Sequence, residues 1–152
     1  MRFIRHFTAA ATAVAFLTVI AASPASAGEV KSFTALKVCS GLIPPNTQTC
    51  SITESSLKIL FGGTIHYTNI VFLPAGAPDH LTSPVTFKAI DARGSTATGR
   101  CTFFFATGTG HCEFWAGTHR LDGFHANIAV GTVAPKTYSL AGTYWFDRED
   151  DD

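Results

Sequence analysis

The chain has 152 residues, with eleven basic and eleven acidic side chains, four cysteines and 46% hydrophobic residues. That balance excludes the basic footprint that nucleic-acid binding requires. Beyond the first 27 positions, no apolar run approaches the roughly 20 residues needed for a membrane-spanning helix.

The first 27 residues read as a secretory signal peptide. Arg2 and Arg5 precede an apolar run at 7–22, and Ala25-Ser26-Ala27 supplies the small-x-small pattern of a cleavage site. A membrane anchor is the alternative, and the apolar run is too short for it. Cleavage after Ala27 leaves 125 residues, nine basic and eleven acidic, with a net charge of −2. That length suits one domain, at 28–147, followed by an acidic tail at 148–152. The tail reads as a solvated end; calcium binding there is disfavoured because no preformed loop arranges the carboxylates.

Export makes disulfides the expected state of Cys39, Cys50, Cys101 and Cys112. Cys39 and Cys50 flank SGLIPPNTQT, a loop sequence that suits a local bridge. Cys101–Cys112 would then be the second bridge, although four cysteines allow three pairings.

Seven segments carry strand signals: 30–38, 49–60, 63–72, 84–91, 99–106, 118–130 and 136–147, with no convincing helix. Gly62-Gly63, Pro74-Ala75-Gly76-Ala77-Pro78, Arg93-Gly94-Ser95 and Val133-Ala134-Pro135 punctuate them. The stretch 107–117 reads as a compact glycine turn, and an eighth strand is expected from splitting a long one at a glycine. Short connections imply antiparallel neighbours, so the expected fold is an all-β, antiparallel eight-stranded barrel, with a two-sheet sandwich as the alternative. Phe103-Phe104-Phe105 places aromatics on both faces of its strand, which suits a barrel whose outer wall meets a partner subunit.

Few catalytic signatures are present. Gly108-Thr109-Gly110 begins like a dinucleotide loop, but Glu113 stands at the third glycine position and no βαβ unit surrounds it. The histidines show no metal-ligand spacing. On one strand, His119 and His125 would stand about 20 Å apart. No GxSxG is present. Neither a cofactor nor a metal is therefore expected. Polar residues inside apolar strands are the site candidates: Glu54, Tyr67, Asn69, Arg120, Asp122 and Tyr144. Turned into a barrel, they would put a few fixed polar groups in an apolar cavity, the make-up of a small-molecule site. For each residue taken singly, a structural role is the favoured reading.

One stretch resembles a known family. Gly108, Thr109, Gly110, Glu113, Ala116, Gly117 and Leu121 match, without a gap, the glycine-turn motif of the allene oxide cyclase/dirigent-like barrels. The segments 83–93 and 136–142 are similar to the flanking strands of that family. Cys112 departs from the pattern, standing where an aromatic is usual, and Phe114 and Trp115 replace smaller residues. The resemblance covers about half of the mature chain and carries over no catalytic residue. It implies an eight-stranded barrel that holds a small apolar molecule and forms a dimer or trimer. It also implies a possible cofactor-free cyclase or isomerase. The other functional expectation is a non-catalytic exported carrier or cell-surface interaction module.

Overall fold

The computed structural model describes residues 28–147; the expected signal peptide and the acidic tail lie outside these residues. Nine strands form: β1 (Lys31–Cys39), β2 (Gln48–Ser55), β3 (Thr64–Tyr67), β4 (Val71–Leu73), β5 (His80–Lys88), β6 (Thr96–Phe104), β7 (Thr109–Gly117), β8 (Phe124–Ala134) and β9 (Thr137–Phe146). Each is antiparallel to its neighbours in the order β3-β2-β1-β9-β8-β7-β6-β5-β4, and a further β3–β5 pairing closes the sheet on itself. The result is an eight-stranded barrel, with β4 as a three-residue extension along the free part of β5. No helix among the described residues is long and apolar enough to cross a membrane.

Three local features differ from the sequence reading. The eighth strand is β7, in the stretch expected to be a turn. Its side chains alternate, Cys112 and Phe114 inward and His111 and Glu113 outward, as a barrel wall demands. The turn itself is confined to 105–108, where Gly108 takes a positive φ of 63°. Gly110 lies within the strand for a different reason: a Cβ there would sit 2.5 Å from the Thr102 carbonyl oxygen and 2.9 Å from the Phe103 ring.

The expected strand at 118–130 is interrupted. His119–Leu121 form one 3-10 turn, and the strand begins only at Phe124. His119 takes a φ of 54° and Gly123 one of 64°, so the chain reverses before pairing. Leu121, fully buried, is the product of that reversal.

The expected strand at 63–72 breaks between Tyr67 and Val71. Asn69 adopts a φ of 51°, a left-handed conformation asparagine tolerates better than most residues. The break lies opposite Pro84, whose carbonyl accepts from Thr68 N–H at 3.2 Å. A proline has no ladder donor, so the interrupted stretch of the neighbour is where β5 can accommodate one.

The barrel has two unlike ends. Strands β2, β5, β7 and β9 begin, and β1, β3, β6 and β8 finish, at the upper end. At the lower end Leu60 and Leu121, on the connecting segments, are buried with Ala89 and Ala97 and form the plug of the core there. Aromatic rings fill the space above the plug: Tyr144 packs on Phe33, Phe124 and Phe146 with ring centroids 6.0–6.2 Å apart. The residual void in the lower and middle barrel, between Ile52, Phe87, Phe114 and Leu140, is about 20 Å³.

Both cysteine pairs close in the preferred pairing. Cys39 stands opposite Cys50 on β1 and β2, and Cys101 opposite Cys112 on β6 and β7. All four are buried, and both bridges lie in the upper half. Such pairing is what an oxidising compartment gives.

Candidate functional site

The inward face of β1 reads Phe33, Ala35, Lys37, Cys39, so strict alternation drives a lysine into the interior. Lys37 is only 4% exposed. Its Nζ donates a hydrogen bond to the hydroxyl of Tyr67 on β3. It also lies 4.8 Å from the centre of the Tyr67 ring and 5.4 Å from that of Tyr138, within the range where ring faces attract a cation. Among the described residues no carboxylate approaches within 4.0 Å of it. An ammonium has three donors, and the protein occupies one of them.

Lys37 and Tyr67 border a cavity of about 60 Å³ at the upper end of the barrel. Ile70, Leu81, Phe103 and Val130 supply its apolar wall. Gln48, Thr102 and Tyr138 complete the lining with Cys39, Cys101 and Cys112 from the two disulfides. Lys37 is the single charged residue in the lining. The volume is less than half of the roughly 150 Å³ in which an apolar protein cavity takes up benzene. It therefore suits a compact molecule. From the rim, Phe72 stacks on Phe105 at 6.2 Å. Phe103 connects Phe105 to Tyr138, at 6.3 Å and 5.6 Å, so a file of rings descends from the surface to the cation.

The six residues singled out from sequence do not converge. Tyr67 lines the cavity. Tyr144 is inside the barrel but belongs to the aromatic packing of the lower half. The other four are exposed on the outside. Glu54 shares parity with the inward Cys50 and Ile52. However, a bulge at Thr53 adds a residue to β2, pairing Leu36 with Glu54 but Lys37 with Ile52. That single insertion turns Glu54 outward. Asn69 is turned out by its left-handed backbone, and Ile70 is buried in its place. Arg120 and Asp122 flank the buried Leu121 of the 3-10 turn instead of alternating along a strand.

The residue that sequence reasoning missed is Lys37. Its signal was its parity with Cys39 and Phe33, outweighed by the general rule that lysine stays in water.

Other ionisable clusters lie on the outer surface. His125 stacks on Trp145 at 5.2 Å and contacts Asp147 at 2.8 Å through Nε2. Asp91 accepts from the Ser95 N–H at 2.8 Å and from the Ser95 hydroxyl at 2.5 Å. These bonds, with a smaller contribution from Arg120, hold its carboxyl below the ordinary carboxylate value. Among the described residues no three His, Cys, Asp or Glu side chains are grouped to hold a metal ion.

No family model, curated protein or solved structure was found to match this chain. The cavity's own chemistry is therefore the ground for a functional reading.

Proposed function

We propose that the protein is an exported barrel that binds a compact molecule with an apolar body and one hydrogen-bond-accepting oxygen, held against Lys37. The buried ammonium with free donors facing an otherwise apolar cavity carries this reading. Burying a cation costs several kcal/mol unless its donors find acceptors. A bound carboxylate or carbonyl oxygen would supply the missing acceptor, and Ile70, Leu81 and Val130 would cover the carbon skeleton. Export fits two disulfides and the leader-like start of the sequence. The resemblance to the allene oxide cyclase/dirigent-like barrels agrees with a closed barrel holding a small molecule. A cyclase of that kind acting on a long substrate would need more room than about 60 Å³.

The test is an NMR titration of the folded protein with isobutyrate, isobutyraldehyde and isobutanol, which share one carbon skeleton. Shifts at Thr102, Val130 and Tyr138, strongest for the first two compounds and lost in Lys37→Met, are expected. Perturbation confined to surface residues, or none with any of the three, would remove the cavity from consideration.

A second reading, an exported interaction module, draws on the rim. Leu42, Ile43, Val71, Phe104 and Val133, all on loops or strand ends at the upper end, are 46–60% exposed. Exposed apolar residues mark contact surfaces, and Phe61 and Ile90 present a smaller such surface at the lower end. Sedimentation velocity of wild type and of Phe104→Ser separates the two readings: concentration-dependent association abolished by the substitution favours the module.

A further inference from the structure

Five lysines are present, and four of them, Lys31, Lys58, Lys88 and Lys136, are exposed. Lys37 differs in every respect that matters for covalent chemistry. It is buried, it faces a cavity, no carboxylate among the described residues holds it, and a phenolic hydroxyl touches its nitrogen. A buried lysine that faces a cavity beside a hydroxyl able to relay protons is placed for attack on a carbonyl compound held there.

We propose that Lys37 captures a small aldehyde or ketone as an imine, with Tyr67 relaying protons. This rests on the cavity reading above and goes further, naming the ligand class and a bond. The Lys37 ammonium first gives up one proton to solvent; the resulting amine attacks the carbonyl carbon, a C–N bond forms, and the carbonyl π electrons move to oxygen. The two N–H protons end on that oxygen, which leaves as water when the nitrogen lone pair closes the C=N bond. Tyr67 donates its hydroxyl proton towards the departing oxygen and is reprotonated from nitrogen. No oxidant, reductant or metal enters the balance. The apolar wall of Ile70, Leu81 and Phe103 limits the water that would reverse the step.

Imine formation is tested on the full-length exported protein with isobutyraldehyde, followed by sodium cyanoborohydride, which reduces an imine to a stable secondary amine. Peptide mapping then reads each lysine. Labelling of Lys37 about tenfold above Lys31, Lys58, Lys88 and Lys136 is expected, since only Lys37 holds the aldehyde in a cavity beside a proton-relaying hydroxyl. The preference should vanish in urea, and Tyr67→Phe should slow labelling of Lys37 without changing that of the four surface lysines. Equal or greater labelling of the surface lysines in the folded protein overturns the proposal. If isobutanol or isobutyrate still shifts the cavity resonances while Lys37 stays unlabelled, the covalent step is wrong and the binding reading stands. With neither shift nor label, both are wrong.

Discussion

Lys37 on β1 reaches past β2 to the Tyr67 hydroxyl on β3, so the only lysine inside this barrel is bonded to a strand that does not adjoin its own. The pair ties β1 to β3 across β2 at the upper end. It also makes that end chemically unlike the rest of the core.

Removing the Tyr67 hydroxyl alone should cost more than removing it together with the Lys37 ammonium. Tyr67→Phe leaves the buried Lys37 nitrogen without its oxygen, a loss of about 2 kcal/mol for a hydrogen bond to a charged group. Lys37→Met replaces the cation with an apolar chain of similar length and should be close to neutral. In the Lys37→Met background, Tyr67→Phe should then be nearly silent. Urea denaturation of the four proteins in the cycle measures the coupling directly; an additive result would show that the bond contributes nothing.

The two disulfides should resist reductant while the barrel is folded. Cys50 has no exposed surface and the other three cysteines are at most 5% exposed. Dithiothreitol should yield free thiols only at the rate of unfolding, followed by alkylation and mass spectrometry. Replacing Cys101 and Cys112 together by alanine should cost about 2–3 kcal/mol, given the short loop they close.

Leu121 should behave as a core residue even though it lies in a three-residue turn between exposed neighbours. Leu121→Ala should cost about 3 kcal/mol, because nothing nearby can close the space left at the base of the barrel. Arg120→Ala, on the exposed side of the same turn, should change the denaturation midpoint little.

Asp91 should contribute to the acid limb of stability. Its carboxyl titrates below the ordinary aspartate value of 3.8, lowered first by the Ser95 hydroxyl and then by the Ser95 N–H. A carboxyl shifted in that direction stabilises the fold fully above its unfolded pKa, and that contribution is lost as the pH falls through the lower folded value. Asp91→Asn should therefore lower stability near neutrality and flatten its decline below pH 3.8. Thermal melts of both proteins across the acid range test the sign.

The strand alternation of β1, β5, β6 and β9 was legible because inward and outward residues differ in polarity along most of their length. The same signal was present in β7, where Cys112 and Phe114 alternate with His111 and Glu113. It was overridden by Gly108 and Gly110, only one of which makes the turn. The Asp122-Gly123 pair was a turn signal inside an expected strand. Ignoring it put Arg120 and Asp122 on an inner face that does not exist. Glu54 shows a harder limit. Nothing in TCSITES marks the bulge at Thr53, because the extra residue is decided by how β2 must bend to follow β1 around the barrel. Candidate residues chosen by parity alone are thus one insertion away from the wrong face.

Leu60 and Leu121 make this vessel a cup instead of a pipe. On the proposed reading, a guest of Lys37 would enter past Phe72 and Phe105, and the loops around them would govern how long it stays. Mutations at the stoppered base can weaken the whole molecule without altering residence time. Changes at the doorway can alter residence time while leaving the melting temperature almost where it was.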